Sequence, residues 1–164
     1  MTAGLFPITS AAATATPAVG APANARDLLL GFFDGLNRRD VGAALARFDP
    51  AAPFEIVPAD VRGTAATAGA SFLRALVTSF PDLLIQVRSL METPELAVAE
   101  IKLEGTQAAD FLGVLNQEKH LDVDQAWIVW AAGGRITGLR AYWCQNQLYR
   151  RLAVKRLDRI SILG

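Results

Sequence analysis

Gly133-Gly134-Arg135-Ile136-Thr137-Gly138-Leu139-Arg140-Ala141-Tyr142-Trp143-Cys144 is a glycine pair followed by an alternating run that ends on the only cysteine in the chain. Side chains of a strand point alternately to its two faces, so the run predicts a strand over 135–144. Gly-Gly tolerates the positive φ of a tight hairpin, so 131–134 turns the chain back onto a strand over 120–130. Before it, 96–106 sets Ala97, Ala99, Ile101 and Leu103 on one face and Val98, Glu100, Lys102 and Glu104 on the other. A further period-two segment covers 83–91, with Glu92-Thr93-Pro94-Glu95 as the turn between. The second half of the chain therefore predicts a meander of long strands, broken by an irregular loop over 108–119.

The first half repeats with helical spacing instead. Asn24 can cap a helix whose apolar face is Leu28, Leu29, Phe32, Phe33 and Leu36, with Asp27 three positions after the cap. Asp40 can cap a second, short helix through Val41, Ala44, Leu45 and Phe48, which Asp49-Pro50 ends. Pro53 and Pro58 bracket a short strand. Gly63 and Thr64 precede a third helix with Phe72, Leu73, Leu76, Val77 and Phe80 on its face, closed by Pro81. A helical turn follows the last strand over 145–152. Helices first and strands later is an α+β order. One domain over 24–153 is expected, with a flexible Ala/Thr/Pro-rich tail over 1–23 and a short tail over 154–164.

Sixteen basic residues balance sixteen acidic ones, so net charge offers no case for nucleic acid or an anionic membrane surface as a partner. No apolar run is long enough for a membrane span, and the first basic residue is Arg26, so the charged start of a secretory signal is missing. One cysteine excludes an internal disulfide and a Cys-based zinc site, and one histidine is too few for a zinc triad. A cytoplasmic setting is expected.

The order of elements and several short motifs resemble the NTF2-like superfamily and, within it, the SnoaL-like polyketide cyclases. Phe33-Asp34-Gly35-Leu36-Asn37-Arg38-Arg39-Asp40 resembles the end of the family's first helix, and Phe80-Pro81-Asp82 its Phe-Pro-Asp after helix three. Gly105-Thr106-Gln107 resembles Gly-Thr-His, Asp110-Phe111-Leu112-Gly113 an acidic-Phe-x-Gly, and Gly134-Arg135-Ile136 a Gly-Lys-Ile. The resemblance covers about 25–153. It implies a cystatin-like cone, a strongly curved mixed antiparallel sheet wrapped around three helices. It also implies an apolar internal pocket, a homodimer formed through the outer sheet face, and acid/base chemistry without a cofactor. Two positions depart from the pattern. Gln107 stands where the family has His, and Cys144 where cyclases carry an acid/base Asp.

Strand parity puts Ile136, Gly138, Arg140, Tyr142 and Cys144 on one face, and the resemblance makes that the pocket face. Arg140 and Tyr142 would then polarise a carbonyl or hold an oxyanion; the structural alternative is an ion pair for Arg140 and space-filling for Tyr142. His120, Asp122 and Asp124 share a face of the preceding strand. They join Arg140 and Tyr142 if the hairpin turn has an odd residue count; Val123, Gln125 and Trp127 join them if the count is even. In the first case Asp122 or Asp124 is a candidate general base. Cys144 is a candidate nucleophile or acid, or a small hydrophobe. Gln107, Gln125, Trp127, Phe33, Phe54 and His120 are candidate substrate contacts, and Glu100, Lys102 and Glu104 read as an outer charged ladder.

The expected activity is a cyclisation or isomerisation of an apolar, polyketide-like molecule in secondary metabolism, of the kind found in antibiotic biosynthesis. Three alternatives stay open. The chain could bind an apolar ligand without catalysis. It could resemble limonene-type epoxide hydrolases, which would need Arg140 between two buried carboxylates. It could be an association module acting through its outer sheet.

Overall fold

A computed structural model describes residues 23–153; the tails expected over 1–23 and 154–164 lie, except for residue 23, outside the described residues. The elements are α1 (Ala25–Asn37), α2 (Val41–Leu45), β1 (Pro53–Ile56), β2 (Val61–Thr64), α3 (Ala70–Ser79), β3 (Leu84–Glu92), β4 (Leu96–Thr106), β5 (His120–Ala132), β6 (Arg135–Trp143) and α4 (Gln145–Leu152). The α+β order is as the periodicities imply. Six strands form one mixed, unclosed sheet in the order β2-β1-β6-β5-β4-β3, antiparallel throughout except for the parallel β1–β6 pair.

Local chemistry sets the helix starts. Asn24 accepts the amide of Asp27 at 2.8 Å, and Asp40 accepts that of Ala43 at 2.8 Å. The second helix is shorter than its apolar spacing predicts. After Leu45 the chain leaves helical geometry so that Arg47 and Asp49 exchange backbone hydrogen bonds with Ile136 at 2.8 and 2.9 Å, a tertiary pairing no local pattern contains. Strand β2 was not expected. It pairs with β1 through a 3₁₀ turn that Asp60 closes in the left-handed region, φ 51°.

Helix α1 lies against β3 to β6 and buries its predicted face, Leu28, Leu29, Phe32, Phe33 and Leu36. Opposite it, Ala99 and Ala141 flank Trp127 on the two neighbouring strands. Small residues on either side make room for the indole, which packs 5.7 Å from Phe32 and 5.8 Å from Phe33 between ring centroids. Asn37, at the end of α1, fixes the far edge of the sheet. Its Oδ1 accepts the amide of Ile85 at 2.7 Å and its Nδ2 donates to the carbonyl of the same residue at 3.1 Å, so one side chain stands in for a neighbouring strand.

One residue decides which way β6 faces. The β5–β6 hairpin turns on Gly133 and Gly134, both with positive φ (58° and 74°), and Ala132 faces Arg135. Two positions on, the register slips: Ala131 faces Ile136 but Trp130 faces Gly138, leaving Thr137 as an extra residue. The bulge reverses the alternation. Ile136 points inward, and beyond the bulge so do Leu139 and Ala141, while Arg140 and Tyr142 point out. Gly138 lies under the Trp130 ring, where a Cβ would sit 3.3 Å from the indole.

Candidate functional site

The open end of the cone is closed by rings. Phe72 of α3 stacks on Trp143 at the end of β6 with centroids 6.4 Å apart and planes at 24°. Phe111, from the loop after β4, lies 6.0 Å from Phe72 and edge-on to Phe80 at 5.2 Å. Leu76, Leu103, Leu121, Trp127 and Leu148 complete the wall, with Gln125. The free volume enclosed is about 10 Å³, room for about one water. Outside the Phe72–Phe111 pair lies an open groove of about 260 Å³ between α3 and the loop, bordered by Val61, Ser71, Ala75, Asp110 and Leu112. The two spaces share Phe72 and Phe111 as their partition.

Gln125 is the hydrogen-bonding residue of the inner wall. It faces Trp143 across the ladder, and its Oε1 accepts the indole N–H of Trp127 at 2.8 Å. The indole N–H of Trp143 likewise donates to Gln145 at 2.8 Å. Both tryptophans are therefore satisfied and held by a glutamine two residues away. Among the described residues no ionisable side chain borders the inner space, and no buried side-chain nitrogen or oxygen lacks a partner.

The expected site residues divide sharply. Gln125 and Trp127 line the cavity. Arg140 and Tyr142 do not: the Thr137 bulge carries both to the outer wall, which corrects the pocket-face position expected from strict alternation. Asp122 and Asp124 share that outer face. They do join Arg140 and Tyr142, but outside the cone: the Gly133-Gly134 turn has an even count of two, which alone would bring Gln125 to their face, and the extra residue at Thr137 reverses that. There Arg140 binds Glu55 at 2.7 Å, and Arg62 shares the same carboxylate at 3.4 Å. Tyr142 and the Glu55 carboxylate, in that order, hold the Arg140 guanidinium above its ordinary pKa. Asp122 pairs with Lys102 at 2.9 Å in the outer charged ladder. The arginine between two buried carboxylates that epoxide opening needs is thus not formed.

Cys144 is exposed at the start of α4 rather than aimed inward. His120 is exposed at the first residue of β5, where its charge contributes slightly to keeping the Asp82 carboxyl below its usual range; the main cause is the Thr106 amide, 2.6 Å from Asp82 Oδ1. Phe33 and Phe54 are core residues away from the cavity wall. Gln107 is buried, but its carboxamide serves the loop: Nε2 donates to Val114 O and Oε1 accepts from Gln117 N, each at 3.3 Å. Phe72, Phe111, Trp143 and Leu148 are among the wall residues that pattern reading did not select. Phe111 had a visible signal in its acidic-Phe-x-Gly context. Leu148 had none, because α4 meets the cavity only through tertiary packing.

Residues 29–139 match the family profile described as the SnoaL-like domain. This chain belongs to the SnoaL-like family. Among solved structures it is similar to a candidate SnoaL-like polyketide cyclase from Jannaschia sp. CCS1, with a TM-score of 0.72 and 17% identity over 87% of this chain and 100% of that one. It is also similar to AclR, a candidate hydroxylase from Streptomyces galilaeus (TM-score 0.69, 19% identity, 78% and 94% coverage). A third is IdmH, a candidate polyketide cyclase from Streptomyces antibioticus (0.67, 17%, 79% and 98%). At these identities the likeness establishes the NTF2-like fold. No protein of curated function matches the sequence significantly. Among the described residues no helix is long and apolar enough to cross a membrane.

Proposed function

We propose that this SnoaL-like chain binds a small, flat, apolar molecule at the aromatic end of its cone and does no acid/base chemistry on it. The observation that carries this reading is the composition of the inner wall. It is built of Phe, Leu and Trp with one carboxamide, and a carboxamide neither gives nor takes a proton near neutral pH. The two positions at which the resemblance expects a His and an acid/base Asp hold neither: Gln107 is spent on loop backbone and Cys144 faces solvent. A ligand stacked among Phe72, Trp143 and Trp127 would find one polar partner, the Gln125 amide, whose oxygen is already engaged. An aromatic, polyketide-like molecule with a hydrogen-bond acceptor fits that chemistry.

The outer sheet face supports a homodimer. Met91, Trp130 and Tyr142 expose 67%, 41% and 38% of their surface there, beside the Arg140–Glu55 pair, and aromatic residues and arginine are the types that dominate association energetics. A cytoplasmic setting goes with this reading.

The test is titration of the protein with 1-naphthol and with saturated analogues of the same size, followed by tryptophan emission and calorimetry. Saturable binding that favours the aromatic compounds, weakened about tenfold in Gln125→Ala, with the ligand recovered chemically unchanged, is expected. Enzymatic conversion of an aromatic polyketide-type compound by the purified protein would defeat the proposal and restore the cyclase reading.

A further inference from the structure

We propose that the loop over 107–119 is a latched plug, that Phe111 occupies the place of the ligand's ring, and that Gln107 is the latch. The ligand class rests on the binding function proposed above; the latch does not.

The loop is anchored at its two ends and pinned at two interior points. Gln107 N donates to Lys119 O at 2.9 Å, which closes its base, and Ala108 N donates to Ser79 O at 2.8 Å. Ser79 Oγ in turn donates to the carbonyl of Asp110 at 2.9 Å. Between the anchors, Phe111 and Val114 exchange backbone hydrogen bonds at 3.0 and 2.9 Å around Leu112 and Gly113, both with positive φ. This is a tight reverse turn that presents Phe111 and Val114 inward and leaves Leu115 71% exposed. The turn is thus a compact unit. It can move as one body about its anchors.

Besides the Ser79 hydroxyl and Gln117 Nε2, which donates to Leu152 O at 3.2 Å, that unit is held down by the buried carboxamide of Gln107. Its two ends grip the loop on either side of Leu115, at Val114 O and Gln117 N, both at 3.3 Å. Those contacts are at the long end of the N–H···O range, so each holds weakly. A side chain placed to do acid/base work would point one end at the cavity. Here both ends serve the plug.

The seat of Phe111 indicates what replaces it. The ring lies between Phe72, at 6.0 Å, and the edge of Phe80, at 5.2 Å, and it separates the inner space from the outer groove. With the turn swung out, the two spaces join around a slot that fits one flat ring. The vacated slot, joined to the inner space beside Trp127 and Trp143, and the released Gln107 carboxamide together favour a flat aromatic molecule carrying a hydrogen-bond acceptor.

The experiment is hydrogen exchange with mass spectrometry on the full-length protein, paired with stopped-flow association of 1-naphthol. Gln107→Leu keeps the volume and removes both loop contacts. Amides of 110–118 should exchange at least tenfold faster in that variant, protection of α1 and β5 should stay unchanged, and 1-naphthol should associate faster by a similar factor. Gln107→Asn, one methylene too short to reach both partners, gives the same readout if the leucine variant does not fold. Unchanged exchange over 110–118 overturns the latch, whether or not 1-naphthol binds. Faster exchange with no association of 1-naphthol by either protein upholds the latch and overturns the binding function on which the ligand class rests.

Discussion

Replacing Gln125 by Leu isolates the polar element of the cavity wall. In the native protein the Trp127 indole N–H, on a fully buried ring, donates to Gln125 Oε1 at 2.8 Å. Leucine is close to glutamine in size, so little cavity or overpacking results. The variant instead leaves a buried N–H without a partner, which costs about 1–3 kcal/mol. Exchanging a carboxamide for an apolar side chain against Leu103, Leu121 and Phe72 returns on the order of 1 kcal/mol. The net loss is at most about 2 kcal/mol, a drop in melting temperature of up to roughly 8 °C for a domain of this size. Trp127→Phe removes the same N–H together with part of the indole volume. In the double variant the unpaired donor no longer exists, so the two losses should fall short of additivity by about 1 kcal/mol. Urea denaturation of the four proteins measures the cycle. A Gln125→Leu protein as stable as wild type, with coupling indistinguishable from zero, would refute the view that Gln125 is structurally committed through its oxygen and offers only its amide N–H groups to a ligand.

Asn37→Ala should lose both hydrogen bonds to Ile85 and lower stability by about 2 kcal/mol, with the exchange increase concentrated in β3; chemical denaturation and amide exchange check it. Asp82→Ala should cost about 1 kcal/mol at pH 7, discounted for the exposure of the carboxylate. Because the Thr106 amide lowers the folded pKa, that stabilisation is present above the unfolded value of about 3.9 and disappears as pH falls through the lower folded value. Thermal melts of both proteins from pH 7 to pH 2 should therefore converge below about pH 4. Arg140→Ala combined with Tyr142→Phe should leave 1-naphthol affinity within about twofold and weaken self-association at least tenfold by sedimentation, since both side chains lie on the outer wall; a matching loss of ligand binding would place them in the site after all.

Much of this protein follows from periodicity. The face of α1 is buried as its spacing implies, and the caps at Asn24 and Asp40 form with the partners three positions on. The three longest strands and α4 lie within a few residues of their expected bounds. The site was harder to read because four residues at it or beside it are not local. Leu148 reaches the wall from a helix beyond the sheet, Phe72 and Phe111 meet across more than thirty intervening positions, and Gln107 finds its partners only once the loop closes. Strand β2 was missed for a related reason: four residues after a 3₁₀ turn are a strand only because β1 lies beside them.

Composition and alternation in the chain were sufficient to set the fold class, the core faces of the helices and the relation of each strand residue to its neighbours. They could not set which side of β6 faces the interior. Alternation defines parity only relative to a starting point, and the single extra residue at Thr137 resets that point near the start of the strand. The bulge is accommodated where Gly138 lies beneath the Trp130 ring of the neighbouring strand, a contact between residues that meet only after the hairpin has closed. For that reason tertiary structure alone put Arg140 and Tyr142 in solvent and left Gln125 and a ring of aromatic side chains to define the interior.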